Sequence, residues 1–264
     1  MAKLESTLDN LGSFKDAEEK KELKELNLIF LRKNGNSINA DPIFYSQRVI
    51  DIANKKKYDI LVDYYNSLYL EERLLSLEEK DEIVQKIADK TKEIDSLIIL
   101  GTTLFKKDDR LFSSNPIIYK GDYIEYFRKR IDFDWTHVAS KNNLIPIKGK
   151  QGNVINWKGW RIGFENCKDV GELKKYLLRT GQEPVDLQLI SAYNYLHMGG
   201  FSAEDVAVKN NGYILMYDSL RDRKGIFAFK VYESPFLSET FRYKEITEKL
   251  DRECNGISFR IRKD

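Results

Sequence analysis

From residue 26 onward the chain switches repeatedly between short apolar runs and stretches whose apolar residues recur at helical spacing. Residues 26–31 read as a strand, 42–56 as a helix and 58–62 as a second strand. Asp41 before Pro42 has the form of an N-cap followed by proline at the first helical position. A longer helix is predicted over 76–92, opening on Ser76-Leu-Glu-Glu79 as a capping box and leading to a strand at 97–101. Strand, helix, strand, helix, strand in this order predicts an α/β domain with a partly parallel sheet.

The second half adds antiparallel pieces. Residues 116–129 read as a hairpin around Lys120-Gly121-Asp122, which makes the sheets mixed. Residues 160–166 form a core strand that stops at Cys167, and the run from Val170 places Leu173, Tyr176 and Leu177 on one helical face. A buried strand at 187–192, a helix near 202–210, strands at 213–217 and 225–232, a helix over 243–254 and a terminal strand at 257–261 complete the pattern. Residues 1–24 are charge-dense, with Leu4, Leu8 and Leu11 at helical spacing, and read as a helical extension or tail. No repeat or Pro/Ser-rich linker divides the remainder, so 25–264 is expected to be one domain.

Composition narrows the function classes. The 264 residues are enough for a full core, and no run approaches the ~18 apolar residues of a membrane span. No apolar segment near the N-terminus suggests a secretory signal, and two cysteines make no disulfide framework, so a cytoplasmic location is expected. Forty-four basic against 42 acidic residues leave a net charge of +2, with the signs interspersed, which gives nucleic-acid binding no support. His137 and His197 sit in different contexts, without metal-ligand spacing, so neither a metal nor a cofactor is expected.

Cys167 is the candidate for chemistry. It falls between a strand and a helix, where helix N-terminal amides stabilise a thiolate, and a depressed thiol pKa separates a nucleophile from an inert core cysteine. The alternative is a small buried hydrophobe.

Taken in order, these landmarks resemble the nitrilase superfamily of carbon–nitrogen hydrolases. Asn115 and Gly121 lead to Phe127-Arg128-Lys129, similar to the family hairpin that ends in the catalytic lysine. Gly163-Phe-Glu-Asn-Cys167-Lys-Asp169 resembles the family's cysteine strand, Ile190-Ser-Ala-Tyr-Asn194 its later strand and turn, and residues 206–215 its next segment. The resemblance implies a four-layer α-β-β-α sandwich with mixed sheets, and a homodimer or larger assembly joined through helices flanking the cysteine; that the last thirty or so residues reach across such an interface is a hypothesis. It also implies Cys167 as nucleophile and Lys129 as the ammonium that stabilises the tetrahedral intermediate. Lys129 has a plainer reading as part of a solvated basic turn, and Asp169 as the N-cap of the following helix.

The pattern departs from the family at the acid. Where members carry a glutamate after the second strand, this chain has Leu61-Val-Asp-Tyr-Tyr65, which puts Tyr65 in the glutamate's place. Glu71 and Glu72 lie several residues too late, in a run that reads as a helix surface. Two acids are candidates to compensate. Asp63 lies two residues before Tyr65, and Glu165 two before Cys167, each sharing that residue's face if the strand continues. Glu165 also has a structural reading, as a buried acid held in an ion pair. Tyr65, Tyr193, Asn194 and His197 are candidate pocket residues for a small amide or related ligand. Two functions follow: a cysteine-dependent amidase with an altered acid, and a nitrilase-fold protein that binds a ligand or partner without turnover.

Overall fold

The structure, a computed structural model, describes residues 22–31, 42–55, 58–63, 74–127, 133–149, 154–166, 169–192, 202–219, 224–236, 240–246 and 256–263. In chain order the first half comprises β1 (Glu25–Leu31), α1 (Pro42–Asn54), β2 (Ile60–Val62), β3 (Leu75–Ser76), α2 (Leu77–Thr91), β4 (Leu97–Ile99), β5 (Thr103–Lys107), β6 (Arg110–Tyr119), β7 (Asp122–Phe127), α3 (Phe133–Lys141) and β8 (Ile145–Pro146). The second half comprises β9 (Val154–Trp157), β10 (Trp160–Asn166), α4 (Glu172–Thr180), β11 (Val185–Ala192), β12 (Val208–Ser219), β13 (Lys224–Glu233), β14 (Arg242–Glu245) and β15 (Gly256–Arg262).

The strands form two mixed sheets. The first runs β15-β1-β2-β4-β6-β5-β3, with β7 and β8 along the other edge of β6; β1, β2 and β4 are parallel. The second runs β14-β13-β12-β11-β10-β9, with β10, β11 and β12 parallel. Strand alternation sorts the apolar residues into layers. Leu28, Phe30, Ile60, Val62 and Ile99 meet Ile162, Phe164, Leu187 and Leu189 between the sheets. Their neighbours Ile29, Leu61 and Ile98 face outward onto Val49 and Ile52 of α1 and Val84 and Ile87 of α2. On the far side Leu173 and Leu177 of α4 cover Val185, Ile190 and Ile214. The result is the expected α-β-β-α sandwich.

Several local signals act as their chemistry dictates. Ser76 caps α2, its hydroxyl accepting from the Glu79 N–H at 3.2 Å while the Glu79 carboxylate accepts from the Ser76 N–H at 2.9 Å. The β6–β7 hairpin turns through Lys120 and Gly121, at φ 49° and 86°, the two positive values that a type I′ turn demands. Behind this hairpin Lys80 of α2 is buried in an ion pair with Glu125 of β7, whose other oxygen accepts from Ser114 Oγ at 2.8 Å. Asp81 lies 2.6 Å from the same ammonium.

Two expectations are corrected. The helix near 202–210 is a single 3-10 turn, Ala203–Asp205, followed by β12. Val208 pairs with Val185 of β11 instead, and Asn211, at a φ of 60°, marks the irregularity before the register resumes at Leu187↔Tyr213. The helix over 243–254 gives way at its start to β14, where Phe229 meets Tyr243 edge-on at 5.4 Å and Ile246 N–H donates to Ala228 O. The rest of that span lies outside the described residues. The terminal strand expected at 257–261 is β15, which pairs with β1 from Leu31↔Gly256 to Glu25↔Arg262. Asp41 and residues 1–21 lie outside the described residues. Just before β1, Leu23 already packs on the core, donating to Lys158 O and accepting from Trp160 Nε1 at 2.7 Å.

Candidate active site

Parallel strands leave their carboxyl ends at one edge of a sheet, where ligands of open α/β folds bind. Here both sheets do so at the same edge of the sandwich. The last residues of β2, β4, β10 and β11 border a narrow cleft of about 20 Å³, lined by Val62, Asp63, Ile99, Leu100, Asn115, Ile117, Tyr126, Phe164, Glu165, Asn166, Leu189, Ile190 and Ser191. Its floor is the apolar layer between the sheets, and its rim is polar.

Asp63 follows directly on β2, is 1% exposed, and is held to the end of β4 by its own N–H, which donates to Ile99 O at 2.9 Å. Asn166 ends β10, on the inward face shared by Ile162 and Phe164. Its Nδ2 donates to Asn115 Oδ1 on the opposite sheet, and Asn115 Nδ2 donates to Leu100 O at 3.0 Å. Tyr126 of β7 donates its hydroxyl to Asp169 Oδ2 at 2.8 Å, a second bond across the sheets. Asp169 is therefore engaged with the opposite sheet, and Gly171 occupies the N-cap of α4. Ser191 Oγ is buried at the cleft and makes no hydrogen bond among the described residues. A buried hydroxyl in that state costs about 1–3 kcal/mol and is offset when a ligand supplies the partner.

Glu165 is used differently from the relocated acid expected of it. It lies on the helix-covered face of β10 with Gly163, where a Cβ on the glycine would come within 2.3 Å of Leu173 Cδ2. Gly171 offers α4 no capping side chain, so one carboxylate oxygen of Glu165 accepts from the Leu173 N–H at 2.8 Å. The other accepts from Gln188 Nε2 at 2.5 Å, and Gln188 bonds onward to Asp205 O and the Ala207 N–H. The carboxylate thus satisfies one orphan amide of the first helical turn, where negative charge is favoured. Glu165→Gln sets an amide donor against the Gln188 donor and is expected to cost about 1–3 kcal/mol in a urea melt, leaving any catalytic pH profile in place.

Cys167, Lys129, Tyr65, Tyr193, Asn194 and His197 lie outside the described residues. What the structure brings together is the chain on either side of them: Asn166 and Asp169 around Cys167, Tyr126 before Lys129, and Ala192 before Tyr193. His137 is on α3 and exposed. Asn115, Tyr126, Asn166 and Ser191 were not singled out as site residues from sequence. Asn166 carried a usable signal, because it is the polar member of the inward set Trp160, Ile162, Phe164, Asn166. Among the described residues no group of three His, Cys, Asp or Glu side chains is placed to hold a metal, and no helix is long and apolar enough to cross a membrane.

No family model matches the sequence, and no curated protein matches it. Solved structures do match the fold. XC1258 from Xanthomonas campestris, a CN-hydrolase superfamily protein, superposes with a TM-score of 0.57 at 14% identity, covering 90% of this chain and 91% of its own. A mutant of the Nesterenkonia AN1 amidase, from the nitrilase superfamily, gives 0.58 at 12% identity over 90% of each chain. Nit3 of Saccharomyces cerevisiae, of branch 10 of that superfamily, gives 0.57 at 15% identity over 86% of this chain and 92% of its own. The chain shares its architecture with these proteins, at identities that carry the fold alone.

Proposed function

We propose that the chain is a cysteine-dependent carbon–nitrogen hydrolase acting on a small amide, with Asp63 in place of the family glutamate. The observation that carries this reading is the cleft at the carboxyl ends of both sheets, which has the buried Asp63 on one wall and, on the other, Asn166, the residue that leads directly to Cys167.

The chemistry follows from the groups in play. Asp63 takes the thiol proton of Cys167, and the sulfur attacks the amide carbon. The Lys129 ammonium stabilises the oxyanion of the tetrahedral intermediate. Collapse breaks the C–N bond, the amine leaves with the proton from Asp63, and a thioester remains on Cys167. Asp63 then draws a proton from water, hydroxide adds to the thioester, and the carboxylic acid and thiol are released. Asn115, Asn166 and Ser191 are the described hydrogen-bonding side chains available to orient a neutral polar substrate. Tyr65 in the glutamate position supports a second reading, a nitrilase-fold binding protein that keeps the thiol and lacks efficient turnover.

Nesterenkonia AN1 amidase mutants of this fold show covalent addition of the acetamide moiety of fluoroacetamide at the active-site cysteine. Fluoride is a poor leaving group, so this probe discriminates a positioned thiolate from an ordinary thiol. In an Asp63→Asn, Cys254→Ser background, where hydrolysis of the amide itself is suppressed, intact mass is expected to show one acetamide equivalent, lost on Cys167→Ala. A protein left unlabelled by fluoroacetamide, yet labelled by iodoacetamide, contradicts an activated nucleophile.

A further inference from the structure

We propose that the two hydrogen bonds joining the sheets at the cleft, Asn166 to Asn115 and Tyr126 to Asp169, form a clasp that positions Cys167 relative to Asp63 and Lys129. This rests on the hydrolase reading for its purpose but on the described residues for its geometry.

The layer between the sheets is mainly a packing of aliphatic and aromatic side chains, and away from the cleft the Tyr213 hydroxyl donates to Arg262 O and Trp160 Nε1 to Leu23 O, each at 2.7 Å. Apolar contacts hold two sheets together without fixing how one lies along the other, because dispersion and the hydrophobic effect are not directional. Hydrogen bonds are directional, and at the cleft they fall at the two places that matter. Asn166 is bonded in the chain to Cys167, and Asp169 follows two residues after it. Asn115 continues the link: its amide reaches Leu100 O at 3.0 Å, and the Leu100 N–H reaches Pro116 O at 2.9 Å. The neighbouring Ile99 O receives the Asp63 N–H at 2.9 Å. The strand ends that carry the acid and the cysteine are therefore tied through one amide. Tyr126 lies three residues before Lys129, so the second bond ties the lysine's strand to the other flank of the cysteine. Both asparagines and both members of the Tyr126–Asp169 pair are buried, and an unmatched polar group there is disfavoured, which favours this seating of the sheets at the cleft edge. A displacement of about 1 Å at a reacting atom costs on the order of 100-fold in rate, which is the scale at which such a clasp matters.

These are positioning residues, so the test reads the thiol. In the Cys254→Ser background, the rate of Cys167 alkylation by iodoacetamide is followed from pH 5 to 10, with a thermal melt of each variant. Tyr126→Phe and Asn115→Ser are each expected to raise the thiol midpoint by about one pH unit, toward the free value of about 8.5, or to lower the limiting rate about tenfold. The control is Tyr119→Phe, which removes a 2.7 Å hydroxyl bond to Asp95 in the same sheet away from the cleft, and is expected to change the melt alone. Midpoint and limiting rate unchanged in both clasp variants, or shifted as far by Tyr119→Phe, overturns the proposal. A parent thiol titrating near 8.5 whose limiting rate still falls in both clasp variants keeps the clasp and sinks the hydrolase reading instead.

Discussion

Glu125→Ala is expected to destabilise the protein by about 3–5 kcal/mol, read as a lower urea midpoint at unchanged slope. The change leaves the buried Lys80 ammonium without its main counter-ion and takes from Ser114 Oγ its acceptor. Asp81, on the more exposed side of the lysine, compensates in part. The double change Lys80→Met with Glu125→Leu is expected to cost far less, since apolar groups of similar volume need no partner. The pH dependence follows the same logic. Burial works against the charge of Lys80, but Glu125 and Asp81 outweigh it and hold its pKa above the ordinary 10.5. Burial pushes the neighbouring Tyr123 from 10.0 up to about 12. Both groups keep their protons to higher pH folded than unfolded. Their contribution is therefore complete below about pH 10 and is lost as pH rises through the folded values. Alkaline melts over that window are expected to show the loss, and Lys80→Met is expected to remove the lysine's share of it.

Asp63→Asn is expected to lower amide turnover by about 10²–10⁴-fold, the contribution of a positioned general base. The substitution keeps shape and keeps the backbone bond to Ile99 O, so the melting temperature is expected to move little beside the loss of rate. Asparagine cannot take the thiol proton or activate water, so both halves of the reaction suffer together. The acid limb of the pH–rate profile is expected to vanish with it. Turnover unchanged in Asp63→Asn would remove Asp63 from the mechanism while leaving the fold and the cleft untouched.

Legibility in the sequence tracked how local the determining physics is. The capping box at Ser76 and the strand that ends at Asn166 stand in the structure where the spacing placed them, because a cap and an alternation are decided by residues next to one another. The start of the helix predicted over 243–254 failed because an edge strand with all four residues exposed leaves no alternating burial in the sequence, and its pairing with β13 runs over separations of nine to sixteen positions. The short strands β5, β8 and β9 escaped notice for the same reason: each is defined by pairing with a partner strand more than by its own composition. At the site, family order pointed to the cysteine strand and hairpin, whereas the use of Glu165 depended on Gly171 having no side chain and on Gln188 arriving from β11. Neither dependence is visible along one strand. The Tyr126–Asp169 bond spans forty-three positions and two sheets, so no spacing announces it.

Ammonia release from a panel of small aliphatic amides tests most directly whether Cys167 breaks a carbon–nitrogen bond at this cleft. Sustained release by the parent protein, abolished in Cys167→Ala and retained in Cys254→Ser, is the predicted result. No release from any amide, with binding of the same amides undiminished in Cys167→Ala, would contradict it and leave a binding protein built on a hydrolase fold.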